Sequence, residues 1–151
     1  MRTQERPGTM SAEKILIDTS IWIDYFRGKS PKTAAKLDEL LTYGNIYVPK
    51  IVLAELIQGA RSKKEISIIH DFLDAFFIID QKEDSWIKAG HISYVLKKRG
   101  MNVHLFDCYI AVIAQEHECK IFTQNRHFKE IQKVFQIDLV HTSRALANSK
   151  I

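Results

Sequence analysis

Cysteine is scarce in this chain, which has only Cys108 and Cys119. Two thiols cannot supply the framework of a disulfide-built extracellular scaffold. On one helix, eleven residues would hold them about 16 Å apart, against the ~7 Å between Cα atoms that a disulfide tolerates. They read instead as small buried hydrophobes. Long apolar runs are also missing. The longest, Cys108 to Ala114, falls far short of the ~18 residues that suggest a membrane span. The polar opening, Met1 to Met10, lacks the apolar core of a signal peptide. No membrane partner is therefore expected, and a cytoplasmic location is. The six glycines are scattered, so no phosphate-cradling loop forms. No internal repeat or low-complexity tract is present. Ser20 and Cys108 lack the flanking glycines of a nucleophile elbow. The six histidines include no HExxH pair and the cysteines no CxxC pair, the spacings that would make zinc persuasive.

What is present suits one packed domain. The chain has 151 residues and is 46% hydrophobic, enough to bury a full core. Residues 1–13 read as a flexible extension or tag, with Met10 an alternative start. The domain proper is expected over 14–143 and a tail over 144–151. The net charge is +4 and the sequence pI about 9.0, a mild basicity that suits a polyanionic partner.

Apolar β-forming runs alternate with helical patterns. Lys14 to Ile17 reads as a strand covered on both faces. Ser20 is positioned to cap a short helix, Ile21 to Phe26, stopped by Gly28. Ser30-Pro31 pairs a cap with proline at the first helical position, and Leu37, Leu40 and Leu41 follow on one face. A strand over Ile46 to Val48 leads into helices from Pro49 to Gly59 and from Glu65 to Ala75. Phe76 to Ile79 is a third strand. Asp80, with Glu83 three residues on, reads as a cap and its reciprocal acid, opening a long helix to Gly100. Another helix covers Leu105 to about His117. A strand from Lys120 to Thr123, a basic helix around Phe128 to Val134 and a last strand from Ile137 to Val140 complete the order. The pattern implies a three-layer α/β/α domain with a mainly parallel sheet.

Three acids do not fit their neighbourhoods. Asp18 closes a buried strand, where open α/β sheets place their ligand crevice. Glu55 sits on a helix face with Ile51, Val52 and Gly59. Asp107 shares a stripe with Ile110, Ala111 and Ala114. A lone buried carboxylate is costly, so such groups are paired, protonated or metal-bound. Three together point to a metal, and hard oxygen ligands point to magnesium or manganese. Asp24, one turn beyond the first motif, reads as solvated, and His127 as a surface or substrate-side residue. A phosphatase would want a second aspartate where Ser20 stands.

Four segments, in order and spacing, resemble the PIN-domain ribonucleases and, within them, the VapC-type toxins of toxin–antitoxin pairs. They are Ile17-Asp18-Thr19-Ser20-Ile21-Trp22-Ile23; Val52-Leu53-Ala54-Glu55-Leu56 with Gly59; Leu105-Phe106-Asp107-Cys108-Tyr109-Ile110-Ala111; and Phe122-Thr123-Gln124-Asn125-Arg126-His127-Phe128. The chain departs from the family in the last, where Asn125 stands in place of a common aspartate and His127 in place of a second acid. The resemblance implies a PIN-like fold and endonucleolytic cleavage of RNA by metal-activated water, with Mg2+ as cofactor and Mn2+ the alternative. Asp18 and Asp107 would be metal ligands. Glu55 would bind metal through water or deprotonate the nucleophile, and Asn125 would complete the shell. Ser20, Thr123 and Arg126 fall on the substrate side. Lys129 and Lys133, Arg61, Lys63 and Lys64, and Lys97 to Arg99 are further candidates for holding RNA. Besides RNA, the implied partners are a cognate antitoxin and a second copy of the chain in a homodimer. The alternative implied by Asn125 is a catalytically weak PIN-like RNA-binding module.

Overall fold

The computed structural model describes residues 12–141. The expected extension falls mainly, and the expected tail wholly, outside them. The elements in order are β1 (Lys14–Ile17), α1 (Thr19–Arg27), α2 (Pro31–Tyr43), β2 (Asn45–Pro49), α3 (Lys50–Gln58), α4 (Lys63–Leu73), β3 (Phe77–Ile79), α5 (Ser85–Lys98), α6 (Leu105–Glu116), β4 (Lys120–Phe122) and α7 (His127–Gln132).

The strands form one parallel sheet in the order β3-β2-β1-β4. β1 is therefore internal, and Ile15, Leu16 and Ile17 are almost fully buried, as a strand covered on both faces requires. The connections β1→β2 and β2→β3 step in one direction across the sheet and β3→β4 steps back. With right-handed crossovers, α1–α4 lie on one face and α5–α6 on the other. The contacts agree: α1 packs on α2 and α3, and α3 on α4, while α5, α6 and α7 pack together. The chain leaves β1 for one layer and leaves β4 for the other, so the crevice between those strand ends is the topological switch point. Asp18 and Thr123 stand on its two sides.

Local chemistry sets the helix ends. The Ser30 hydroxyl accepts from the Thr33 N–H with Pro31 at the first helical position, and Ser62 caps α4 through the Glu65 N–H. α1 stops at Gly28, whose φ of 65° is left-handed. Every residue of α6 from Cys108 to Ala114 is buried, which fits a helix pressed between the sheet and α5. Both cysteines are free and buried. Trp22 is buried among Tyr25, Phe26, Phe72 and Phe76, so it belongs to the core.

Three expectations are corrected. The fifth strand contracts to a single bridge, Ile121 to Leu139. Asp80 caps no helix, because α5 begins at Ser85. Its carboxylate instead accepts from the Gln81 N–H at 2.8 Å and faces Lys50 Nζ at 3.3 Å. Ser20 lies inside α1, whose N-cap position is Asp18. Its hydroxyl serves the site instead of the helix end. No helix among the described residues is long and apolar enough to cross a membrane.

Candidate active site

The carboxyl edge of the sheet gathers the residues that the sequence singled out. Asp18 follows β1 and is 6% exposed. Its Oδ2 accepts two hydroxyl hydrogen bonds, from Thr123 at 2.8 Å and Ser20 at 3.0 Å. Glu55 projects from α3 and is half-buried, with Oε1 accepting from the Thr19 hydroxyl at 2.9 Å. Asp107 lies in the first turn of α6, where the helix dipole favours a carboxylate. Its Oδ2 accepts from Asn125 Nδ2 at 3.0 Å and lies 3.6 Å from His127 Nδ1.

The acids share an electrostatic field. Burial pushes Asp18 above the ordinary carboxylate range, the Thr123 and Ser20 hydroxyls pull it down, and the Asp107 charge pushes it up again. Glu55 is also raised, first by burial. The Thr19 hydroxyl partly relieves it, Asp18 and Asp107 add to it, and His104 acts in the opposite sense. No ion pair among the described residues joins a lysine or arginine to Asp18, Glu55 or Asp107.

Asn125 has a defined polarity. Its Oδ1 accepts from the His127 N–H at 2.9 Å, so its Nδ2 must be the atom that donates to Asp107. The amide bridges the start of α7 and the carboxylate, and both of its polar atoms are engaged. Thr123 is similarly used twice, donating to Asp18 and accepting from the Asn125 N–H at 2.9 Å. Arg126 is exposed just beyond. Thr33, Thr123, Gln124, Asn125, Arg126 and Lys129 help line a groove of 990 Å³, reached from the acids through Thr123 and Asn125, while Asp18, Glu55 and Asp107 themselves are not part of its wall. A smaller concavity at the opposite edge of the sheet, lined by Lys14, Cys119 and Ile137, also excludes the three acids.

Among the described residues, no three His, Cys, Asp or Glu side chains stand close enough together to hold a metal ion. Glu55 is turned to Thr19, and Asp107 to Asn125. The donor chemistry nevertheless fits a hard divalent cation: carboxylate oxygens only, raised at Asp18 and Glu55 by burial and then by neighbouring carboxylate charge, with no lysine or arginine paired to them among the described residues.

Sequence reasoning missed four contributors. Thr19 holds Glu55. Asp24, expected to be solvated, is 8% exposed, and it and the buried Thr33 accept from the half-buried Gln124 side chain. One signal was available, since Asp24 lies one helical turn from Ser20 and so shares its face. Lys133 is engaged with Glu130 at 3.0 Å, which weakens it as a phosphate contact.

Fold and site together define a parallel α/β domain with an acidic cluster at the switch point of its sheet. The chain belongs to the PIN domain family, whose model matches residues 15–134. It is similar to ribonuclease VapC1 of Methanocaldococcus jannaschii, with 33% identity over 121 residues covering 80% of this chain and 82% of that one. It is 26% identical to ribonuclease VapC11 of Mycobacterium tuberculosis over 125 residues, 80% of this chain and 92% of that one. In fold it resembles a chain of VapBC2 from Rickettsia felis bound to a promoter DNA fragment. There the TM-score is 0.69 at 24% identity, covering 84% of this chain and 97% of that one.

Proposed function

We infer that this chain is an endoribonuclease, the toxin of a toxin–antitoxin pair, cutting RNA phosphodiester bonds at the acidic cluster with a divalent cation, magnesium or manganese. One observation carries the reading: Asp18, Glu55 and Asp107 converge at one strand-end crevice, where burial first and neighbouring carboxylate charge second raise Asp18 and Glu55, and among the described residues no lysine or arginine is paired to the three. In a chain of net charge +4, such a group is suited to a cation that also attracts phosphate. The similarity to ribonucleases supports the same substrate.

Asp18 and Asp107 would hold the ion. A divalent cation, when bound there, polarises a phosphoryl oxygen and lowers the pKa of a water molecule. Ser20 and Thr123 keep Asp18 Oδ2 in place, so its carboxylate does not swing when RNA arrives. Asn125 does the same for Asp107 by donation. Glu55, held by Thr19 and kept above the usual range, accepts the proton of the attacking water. Arg126 and Lys129 along the groove contact phosphates, which gives affinity without reading sequence. An antitoxin segment would lie over the acids and place an arginine or lysine among the carboxylates, and the toxin would act as a cytoplasmic homodimer.

A second reading has one observation in its favour. Asn125 places a neutral amide where relatives often carry an acid, and both its polar atoms are engaged, which suits RNA binding with weak turnover. RNA cleavage by purified protein separates the two. The nuclease reading expects cleavage with Mg2+, none in excess chelator, and none by folded Asp18→Asn or Asp107→Asn protein. Tight RNA binding with equal, negligible cleavage by all three proteins would establish the binding module instead.

A further inference from the structure

The geometry assigns Gln124 as the positioning residue that sets the separation of Asp18 and Asp107, an assignment that rests on the nuclease reading. Its neighbours on either side each hold one of the two acids. Thr123 donates to Asp18 Oδ2 at 2.8 Å, and Asn125 donates to Asp107 Oδ2 at 3.0 Å. The distance between those acids therefore depends on how firmly the turn 123–125 is held, and Gln124 is its middle residue.

That residue is fastened twice. Its backbone N–H donates to the Ser20 hydroxyl at 3.3 Å, and the same hydroxyl donates to Asp18. Its side-chain Nε2 donates to Asp24 Oδ2 at 2.9 Å and to Thr33 Oγ1 at 3.0 Å. Both acceptors are buried, Asp24 at 8% and Thr33 at 3% exposure. The other Asp24 oxygen accepts from the Ser30 N–H at 2.9 Å, at the start of α2. A strut of side chains thus ties the turn after β4 to the junction of α1 and α2, about 100 residues earlier in sequence. A carboxylate as buried as Asp24 is retained where its hydrogen bonds are satisfied, and here they converge on Gln124 and the α2 cap. Gln124 does not reach the acids, and it acts through Thr123, Asn125 and Ser20.

The direction of the Gln124–Asp24 bond supplies a sharp test, because the charge can be moved to the other end. In Gln124→Glu, two carboxylates face each other and the strut opens. In the double variant Asp24→Asn/Gln124→Glu, the new amide at position 24 donates to the new carboxylate at position 124. The Thr33 hydroxyl turns to donate as well, and the Ser30 N–H keeps its acceptor.

The probe is Mn2+ alone, titrated calorimetrically into the full chain at pH 8, with RNA cleavage measured on the same samples and folding checked by circular dichroism. Gln124→Glu is expected to weaken Mn2+ binding and lower kcat by about tenfold or more, with KM for RNA within about twofold. The double variant should recover both to within about threefold of the wild type. Gln124→Met loses the donors without adding charge. It should fall between the extremes and carries the test should Gln124→Glu not fold. Wild-type Mn2+ affinity in Gln124→Met and Gln124→Glu overturns the assignment. So does a double variant as weak as the single one, since the Asp24–Gln124 bond then does not set the turn. A wild-type protein that neither binds Mn2+ nor cuts RNA removes the nuclease reading itself, and this assignment with it.

Discussion

Asp18 and Glu116 are two carboxylates that the fold covers closely, yet their surroundings differ in one respect. Asp18 is 6% exposed as a whole residue, and the side chain of Glu116 is 6% exposed. Glu116, at the end of α6, accepts from the Ser85 hydroxyl at 2.6 Å and faces Lys88 Nζ at 3.4 Å, with Lys82 beside it on its own carbonyl. It has a hydroxyl and a cation. Asp18 has two hydroxyls, from Ser20 and Thr123, no lysine or arginine paired to it among the described residues, and the charge of Asp107 acting against it. The first is a finished structural contact that ties α5 to α6. The second is an arrangement one positive charge short. A fold does not retain a deficit of that kind for stability, because an uncompensated buried charge is costly, and functional sites are where such deficits concentrate.

Four results would sharpen or break this contrast. The largest concerns turnover. Asp18→Asn and Asp107→Asn should each lower the rate of Mg2+-dependent RNA cleavage by about 10²–10³-fold, while Glu116→Gln should leave it near the wild-type value in the same assay. Next is stabilisation by the ion itself. Mg2+ at a hundred times its dissociation constant should stabilise the wild type by about 2.7 kcal/mol, read from denaturant or thermal unfolding, and should stabilise Glu116→Gln equally.

Third, neutralising the two carboxylates should have opposite signs in metal-free protein. Glu116→Gln removes an ion pair with a half-exposed lysine and should cost about 1 kcal/mol or less. Asp18→Asn keeps an oxygen to receive the two hydroxyls, removes the uncompensated charge, and should raise the melting temperature. The smallest effect is on the pH profile. Asp18 and Glu55 have pKa values raised on folding, so through that window the folded chain binds more protons than the unfolded one. The stability they contribute is complete at acid pH and is lost as pH rises through their folded values. In chelator, the difference in stability between Asp18→Asn and wild type should therefore widen from pH 4 toward pH 7. A constant difference would show that Asp18 titrates alike in both states.

The parts of this account legible in the sequence are those that depend on local pattern. Ile15-Leu16-Ile17 announces a doubly covered strand, and the acid at its end is where such sheets place their ligands. Alternation of strands and helices pointed to the parallel sheet, and Ser30-Pro31 marked the start of α2. Failures arose where tertiary partners decide the outcome. Asp80 and Glu83 have the spacing of a helix cap, but the Ser85 hydroxyl, engaged by the Lys82 N–H and by Glu116 thirty-one residues later, moves the start of α5. Ile137 to Val140 has strand composition but only one bridge to β4. Asp24 looked solvated because its partner Gln124 lies 100 residues away. Gln124 itself carries no chemical signature, and only the neighbours it separates give it a role.

The most direct test of the missing charge is an order of stabilities. Wild type and Asp18→Asn are melted at pH 7.5, first in chelator and then in excess Mg2+. The variant should melt higher in chelator, the wild type should gain most from Mg2+, and the order should invert. The same order in both buffers, with equal gains from Mg2+, would contradict the charge deficit at Asp18.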